Sequence, residues 1–214
     1  MSLYRRYVLP RMIDWAMSNA DTARVRSEVI PRAQGVTLEI GIGSGLNLPF
    51  YSSGVTRLYG VDPSPELQAL ARKRAEEASR SLELFLQSAE ERLPLQDRSV
   101  DTVVCSWSLC SISEPLRALR EARRVLRPSG ELLFVEHGRA PAGSVRAWQD
   151  RLNPIWKRFA GGCNMNRPTD ELIRAAGFEL IELQQAFLPG PKVLTYTYRG
   201  RARALSGPAP GTAA

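Results

Sequence analysis

The sequence predicts an α/β fold built on a doubly wound, mostly parallel sheet. Two observations predict it: strand-like and helix-like segments alternate along most of the chain, and a glycine-rich turn follows the first strand-like run. The length of 214 residues fits one domain with a single core. With 43% hydrophobic and 24% charged residues, the composition is that of an ordinary globular protein.

Residues 4–30 form the first predicted element, because apolar and basic groups alternate there at helical spacing. We expect one or two helices, with Asn19 and Asp21 as cap residues between them and Pro31 at their end. Such a basic, amphipathic segment is typical of weak peripheral membrane contact and also of a lid that closes over a bound ligand. Of these two roles we favour the lid. The predicted boundaries are 1–30 for this helical lid, 31–204 for the main domain and 205–214 for a disordered tail.

The main domain is predicted from alternating strand and helix signals. Strands are expected at 36–40, 57–61, 82–87, 100–107, 131–136, 178–186 and 192–199. Helices are expected at 46–52, 65–79, 115–126, 148–159 and 169–176. The short connection 188–191 is rich in Pro and Gly, so the last two strands should pair as an antiparallel hairpin at the edge of the sheet.

Hydropathy and charge exclude several classes of protein. The longest nearly uncharged stretch, 99–113, is shorter than the roughly 20 apolar residues that a transmembrane helix needs. The N-terminal residues lack the features of a secretory signal, so the expected compartment is the cytoplasm. The 29 Lys and Arg exceed the 22 Asp and Glu to give a net charge of +7, but this excess is spread along the chain, which argues against a nucleic-acid partner.

The three cysteines are Cys105, Cys110 and Cys163, and they form no C-x-x-C pair. An odd count favours a reducing compartment over a disulfide framework. His137 is the single histidine of the sequence, so a zinc site would need all three cysteines to converge on it. Their spacing gives no reason to expect this, and we predict no metal site.

The segment EIGIGSG, residues 39–45, runs from a buried-looking strand through three glycines into a helical signal. Gly41, Gly43 and Gly45 allow the chain to turn tightly and to bring its backbone against a ligand. Asp62 follows 21 residues after Gly41, at the end of the second strand. A carboxylate there can accept both hydrogen bonds of a ribose diol, so the combination indicates a nucleoside-containing cofactor.

Glu39 distinguishes between two such cofactors. It stands two residues before Gly41, and the glycines follow G-x-G-x-G instead of the G-x-G-x-x-G of dinucleotide sites. A carboxylate in this place would repel a pyrophosphate but attract the positively charged amino group and sulfonium of S-adenosylmethionine. We therefore predict S-adenosylmethionine as the cofactor, with a nicotinamide-dependent oxidoreductase as the rival interpretation.

Four motifs resemble the successive motifs of class I S-adenosylmethionine-dependent methyltransferases: EIGIGSG at 39–45, VDPS at 61–64, SVDTVV at 99–104 and VLRPSG at 125–130. The resemblance implies a Rossmann-like sheet of seven strands with an antiparallel edge strand. It further implies that the cofactor's methionine lies near residues 39–45 and Asn47, its ribose on Asp62, and its adenine near Pro63, Ala89 and Glu90. Ser88 also belongs to this predicted adenine site, although such enzymes often have an acid there.

The methyl acceptor is expected beyond the ends of the fourth and fifth strands. Cys105 and Ser106 end the fourth strand and should flank the sulfonium in a collar that aligns the acceptor, unless they only pack the strand end. His137 follows the fifth strand at the same edge and is the candidate general base, because an imidazole pKa lies near 6.5. A histidine held by backbone hydrogen bonds would give the same sequence signal.

Further stretches resemble the animal methyltransferase-like enzymes that methylate alkyl thiols: 45–47, 50–51, 103–105, 109–111, 136–137, 153–156 and 162–164, with Arg167. The resemblance implies methylation of a small alkyl thiol. Thiols need little catalytic help, because a few per cent is already thiolate at pH 7. Methylation of a phospholipid head group or another small amine, and cofactor binding without turnover, are the alternatives that the sequence leaves open.

Overall fold

A computed structural model describes residues 4–205 and shows a single seven-stranded sheet in that part of the chain. The strands are β1 (Gly35–Ile40), β2 (Val55–Val61), β3 (Glu83–Phe85), β4 (Val100–Ser106), β5 (Leu126–His137), β6 (Phe178–Phe187) and β7 (Tyr196–Ala204). Their order in space is β3-β2-β1-β4-β5-β7-β6. Strands β1 to β5 pair in parallel, whereas β7 is antiparallel to β5 and to β6. The predicted doubly wound sheet, with an antiparallel hairpin at one edge, is confirmed.

Helices flank this sheet and precede it. They are α1 (Leu9–Met17), α2 (Ala20–Val29), α3 (Pro65–Glu77), α4 (Pro115–Val125), α5 (Ser144–Phe159), α6 (Thr169–Ala175) and α7 (Lys192–Thr195). The predicted cap residue Asn19 begins α2 by accepting a hydrogen bond from Thr22 N at 2.9 Å. Within residues 4–205, every helix is too short or too polar to pass through a lipid bilayer.

Two apolar layers hold the helices against the sheet. Leu119 of α4 and Ile173 of α6 are fully buried on one face, and Val25 and Val29 of α2 are buried on the other. Because helices cover both faces, the central strands are apolar almost throughout, as in the run of Val103 to Cys105 in β4. The carboxyl ends of β1 and β4 lie where the strand order reverses, which is the usual position of a ligand crevice in this class of sheet.

Several predicted elements differ from the structure in type or in bounds, and three of them show why. The predicted helix 46–52 is only a 3₁₀ turn, Leu48–Phe50, because Tyr51 returns to the extended conformation and its hydroxyl reaches Glu39. Residues 192–195 form α7 and not a strand, since the pairing of β7 begins at Tyr196 with β6 and at Thr197 with β5. Strand β5 begins at Leu126 instead of 131, because Leu126 pairs with Val100.

The predicted boundary between residues 30 and 31 stays a prediction. The predicted tail 205–214 lies outside the described residues, apart from Leu205.

Candidate active site

The glycine loop begins at the carboxyl end of β1 and turns through backbone conformations that side chains disfavour. Gly41 and Gly45 have φ values of +68° and +80°. A Cβ on Gly41 would lie 2.4 Å from Cβ of Ser108, and one on Gly45 would lie 2.7 Å from Cδ1 of Leu48. At Gly43 the nearest atom to such a Cβ would be 3.9 Å away, so its backbone is open to a ligand.

Glu39 lies under this loop and is 1% exposed. Its Oε1 accepts a hydrogen bond from Asn47 Nδ2 at 2.7 Å, and its Oε2 accepts one from the Tyr51 hydroxyl at 2.7 Å. Burial raises the pKa of Glu39 to about 7, against the opposing effect of these two bonds. Each carboxylate oxygen keeps a lone pair that can accept a further hydrogen bond from a cation.

Arg26 of α2 lies across the same pocket and was not found by sequence reasoning. It is 4% exposed, and its Nε donates to Asn47 Oδ1 at 3.0 Å. Its guanidinium carbon is 4.9 Å from the centroid of the Trp107 ring, within the range of a cation–π contact. Asn47 therefore bridges a buried cation and a buried anion. A lone arginine in an amphipathic segment carries no sequence signal for such a contact, because the contact depends on how α2 packs.

A small pocket beside the glycine loop is lined by Arg26, Glu39, Asn47 and Ser106. Its volume is about 70 Å³, and Ile13 and Met17 belong to its wall. Small-molecule sites usually enclose roughly 300–1,000 Å³, so a nucleoside would need more room than this arrangement leaves. A larger cleft of about 570 Å³ lies between α4 and residues 90–98, but no residue of the glycine loop lines it.

Asp14 fastens α1 to the glycine loop. Its Oδ1 accepts hydrogen bonds from Ser44 Oγ at 2.5 Å and from Arg74 Nη1 at 2.7 Å. Arg74 also donates to the Ser44 carbonyl at 2.7 Å. Although partial burial raises the pKa of Asp14, its bonds with Arg74 and Ser44 lower that pKa overall. The N-terminal helix is thus bonded to the loop that the sequence predicts to hold the cofactor.

Asp62 directly follows β2 and contacts the glycine loop. Its Oδ2 accepts a hydrogen bond from Gly43 N at 3.0 Å, and its Oδ1 accepts one from Ser64 N at 2.8 Å. Burial raises its pKa, and the two backbone bonds oppose this rise. The structure therefore brings the predicted ribose carboxylate and the glycines together, with lone pairs remaining on both oxygens.

The residues predicted around adenine follow β2 and β3 at the same edge. Pro63 is exposed, Ser88 is half-buried and Ala89 is 6% exposed. Glu90 Oε1 accepts hydrogen bonds from the backbone of Ser113 at 2.8 Å and of Glu114 at 3.1 Å, next to the beginning of α4. The carboxylate of Glu90 thus supports a helix N-terminus, a role that the sequence did not indicate, and the adenine contacts stay predictions.

The end of β4 divides into a buried and an accessible part. Cys105 is 0% exposed, packs in the core and has a pKa that burial raises well above the ordinary value. Burial closes its thiol off from solvent, and the predicted position of Cys105 beside the sulfonium stays a prediction. Ser106 lines the pocket, and its Oγ accepts a hydrogen bond from Asn47 Nδ2 at 2.7 Å. Trp107 also lines the pocket with a left-handed φ of +48°, an unfavourable conformation of the kind that collects at functional sites.

His137, the predicted base, ends β5 beside two cysteines. Its Nε2 lies 2.8 Å from Sγ of Cys163, and one ligand atom from each of Cys110, His137 and Cys163 lies within 4.8 Å of the other two. The expectation that the cysteines do not converge is therefore wrong for two of the three. It fails because α5 returns the chain to the ends of β4 and β5, and Asn164 N there donates to the Cys110 carbonyl at 2.8 Å.

A family model described as "Methyltransferase domain" matches residues 38–134. Human "Thiol S-methyltransferase TMT1B" is 35% identical over 179 residues, which are 78% of this chain and 73% of the human protein. The chain belongs to the class I S-adenosylmethionine-dependent methyltransferases.

Other methyltransferases are similar over comparable lengths. Rat "Thiol S-methyltransferase TMT1B" is 39% identical over 150 residues, 69% of this chain and 61% of the rat protein. A "Phosphatidylethanolamine N-methyltransferase" of Cereibacter sphaeroides is 33% identical over 150 residues, 70% of this chain and 73% of that protein. This methyltransferase chain therefore spans less than two thirds of the rat relative.

Solved structures agree in fold. A "SAM dependent methyltransferase" from Aquifex aeolicus has a TM-score of 0.60 at 18% identity, over 92% of this chain and 98% of that one. Membership of the family implies use of S-adenosylmethionine by this methyltransferase.

Proposed function

We propose that the protein transfers the methyl group of S-adenosylmethionine to the sulfur of a small alkyl thiol. The reaction class is supported by the relatives named thiol S-methyltransferase, which are 35% and 39% identical to this chain. The cofactor assignment is carried by one observation: Arg26 and Glu39, both buried and of opposite charge, line one pocket beside the glycine loop.

This pair fits the amino-acid end of the cofactor. The methionine moiety of S-adenosylmethionine carries an ammonium and a carboxylate on one carbon. Glu39 offers its remaining lone pairs to the ammonium, and Arg26 offers guanidinium N–H groups to the carboxylate. Asn47 already bonds to both side chains, so it holds them in position without a net charge of its own.

Asp62 and the loop fit the nucleoside end. Asp62 is held by two backbone N–H groups. Its remaining lone pairs can accept the two hydrogen bonds that the hydroxyls of a ribose diol donate. Adenine would then lie beside Pro63, Ser88, Ala89 and Glu90. The negative charges of Glu39 and Asp62 favour a cationic nucleoside over a pyrophosphate-containing one, which is why the nicotinamide alternative is the weaker one.

The bound cofactor supplies a methyl group activated by its positive sulfur. The chain itself has to bind, orient and exclude water, because methyl transfer is an in-line displacement governed by positioning. The acceptor thiol loses its proton, its sulfur forms the new bond to the methyl carbon, and the bond from that carbon to the sulfonium breaks. His137 remains the predicted acceptor of the proton, although its Nε2 faces Cys163.

We also propose that α1 is a lid. Ile13 and Met17 reduce the pocket to about 70 Å³, so entry of the cofactor requires α1 to move. The bonds of Asp14 with Ser44 and Arg74 give α1 a defined closed position. Trp15 on the outward face is 82% exposed, and contact of this face with a membrane stays a prediction.

Two titrations followed by an acceptor screen test the function. Calorimetry should show binding of S-adenosylhomocysteine and none of a nicotinamide dinucleotide. Labelled S-adenosylmethionine should then label alkyl thiols in a panel of thiols, amines and phenols. Transfer to amines alone would replace the thiol by the acceptor class of the Cereibacter relative, and binding without transfer to any acceptor would indicate a cofactor-binding protein. Absence of S-adenosylhomocysteine binding would overturn the proposal.

A further inference from the structure

Cys110, His137 and Cys163 converge from three separate segments: the turn after β4, the end of β5 and the turn after α5. We call them the Cys–His–Cys cluster. One ligand atom from each lies within 4.8 Å of the others, and the shortest separation, Cys163 Sγ to His137 Nε2, is 2.8 Å. Both cysteines are free thiols. The cofactor proposal uses neither of them.

The donor set is that of a soft or borderline metal ion. Two thiolates and one imidazole occur in zinc sites that keep their fourth position open, as in alcohol dehydrogenase. Around a tetrahedral Zn²⁺, with bonds of about 2.3 Å to sulfur and about 2.0 Å to nitrogen, the ligand atoms are roughly 3.5–3.8 Å apart. The separations in the cluster, from 2.8 Å to at most 4.8 Å, lie on both sides of that range. Small side-chain rotations would therefore bring the three ligand atoms to the separations that tetrahedral Zn²⁺ requires.

The charges around the cluster favour a dication. Cys110 is 3% and Cys163 is 7% exposed, and two buried thiolates are costly without a neutralising partner. Arg167 donates to the carbonyl of Ile112 at 2.6 Å, and Glu136 accepts from Leu109 N at 2.9 Å. The single positive charge of Arg167 does not balance two thiolates, so they still need the charge of a bound dication.

The surroundings leave room for one more ligand. His137 is only half-buried, so the cluster is not sealed. Trp156 Nε1 is buried and finds no hydrogen-bond acceptor in the described part of the chain, and it lies beside Cys163. An anionic sulfur bound beside Cys163 would give this N–H an acceptor. The Cys110 sulfur is also 3.6 Å from the carbonyl of Trp107, which lines the cofactor pocket.

We propose that the Cys–His–Cys cluster binds Zn²⁺ and presents its fourth coordination position to the sulfur of the acceptor thiol. The choice of a thiol rests on the proposed function, whereas the three protein ligands do not depend on it. The acceptor R–SH would lose its proton to water on binding and would be held as a thiolate. That thiolate then attacks the methyl carbon, the carbon–sulfonium bond breaks, and the thioether product leaves because it is a neutral, weaker ligand.

Zinc binding excludes the predicted base role of His137, because a metal-bound nitrogen cannot take a proton. It also makes the cysteine pair resistant to oxidation, which would otherwise join two sulfurs that lie within 4.8 Å.

The experiment measures metal binding before activity. The untagged protein, purified under reducing conditions, is stripped with a chelator and titrated with Zn²⁺ and with Co²⁺. We expect one ion per chain, and the Co²⁺ form should show the intense visible bands of a tetrahedral site with sulfur ligands. Cys110→Ser and Cys163→Ser should each weaken binding by at least about 100-fold. Cys105→Ser, the same change at the buried thiol outside the cluster, should leave metal affinity unchanged.

Adding an alkyl thiol to the Co²⁺ form should shift its visible spectrum, whereas an alkyl amine should not. If the unmodified, fully reduced chain bound no metal, the proposed metal site would be overturned. It would also be overturned if the Cys110→Ser and Cys163→Ser variants bound metal as tightly as the unmodified protein does. Each variant is checked for folding by its binding of S-adenosylhomocysteine. A spectrum that thiols leave unchanged would overturn the fourth position. Thiol methylation at the same rate without metal would overturn this inference and keep the proposed function. A thiol-sensitive Co²⁺ spectrum without any methyl transfer would keep this inference and overturn the proposed function.

Discussion

Replacing Glu39 by Gln should stabilise the ligand-free protein and weaken cofactor binding. Burial, opposed by the bonds from Tyr51 and Asn47, raises the pKa of Glu39 from 4.5 to about 7. The folded state therefore keeps this proton to a higher pH than the unfolded state does. As the pH rises through this interval the carboxylate ionises in its buried site, and the free energy of unfolding falls. Gln keeps the shape and one acceptor oxygen without the charge.

The size of the effect follows from the two pKa values. A rise from 4.5 to about 7 corresponds to roughly 3 kcal/mol. The gain in the free energy of unfolding from Glu39→Gln should be near zero at a pH equal to the lower pKa and should grow as the pH rises. It should level off near roughly 3 kcal/mol at a pH above the higher pKa. Loss of a charged hydrogen-bond partner costs about 1.5–3 kcal/mol, so affinity for S-adenosylhomocysteine should fall about 10- to 150-fold.

Urea unfolding of both proteins across this pH range gives the stability difference, and calorimetry gives the affinity. Glu136, whose pKa burial raises to about 8, contributes the same pH dependence to both proteins and cancels. Glu83→Gln is the matched control, because Glu83 is half-exposed and pairs with Arg57 on the surface; its effect should stay below about 1 kcal/mol. If Glu39→Gln lowered stability above pH 7 and left S-adenosylhomocysteine binding intact, the electrostatic basis of the cofactor assignment would be refuted.

Three further substitutions test other parts of the site. Asp62→Asn should weaken S-adenosylhomocysteine binding on the order of 10- to 100-fold by calorimetry, because it removes the anion proposed for the ribose; an unchanged affinity would exclude that contact. His137→Asn should slow single-turnover thiol methylation and leave S-adenosylhomocysteine affinity within about twofold, since His137 lies outside the cofactor pocket. Asp14→Ala should cost less than about 1 kcal/mol of stability, because the Asp14–Arg74 pair is partly exposed. It should nevertheless hasten trypsin cleavage at Arg11, because α1 loses its bonds to the glycine loop; an equal cleavage rate would show that Asp14 does not hold α1 closed.

The parts of the site that follow directly from a strand were predictable. Glu39 and Ser106 lie at the carboxyl ends of β1 and β4, and Asp62 directly follows β2. In a parallel sheet these ends share one edge, so sequence position alone places them together. The seven strands were predictable for a similar reason, because apolar runs between turn signals leave few other arrangements. Strand β7 was the exception: its first residue depends on its pairing with β5 and not on its own composition.

The parts that depend on long-range packing were not predictable. Arg26 reaches Asn47 across 21 residues, and Asp14 reaches Arg74 across 60. Both contacts depend on how the N-terminal helices dock, and an amphipathic pattern fixes only which face is buried. The meeting of Cys110 with Cys163 likewise depends on where α5 ends, which the spacing of the two cysteines does not encode.

If α1 is the proposed lid, its position and the recognition of the cofactor are linked through Arg26. Its Nη1 donates to the carbonyl of Met17, the last residue of α1, at 2.9 Å. The guanidinium that we assign to the cofactor's carboxylate is therefore partly occupied by the helix that blocks the pocket. If α1 moves outward, the pocket widens and this N–H is freed in the same step. An incoming carboxylate then replaces the carbonyl as the partner of Arg26, and the carboxylate is the stronger partner because its hydrogen bond to arginine is charge-assisted. The cofactor's carboxylate therefore takes the place of the Met17 carbonyl on Arg26. Its binding free energy does not have to cover the desolvation of a free arginine.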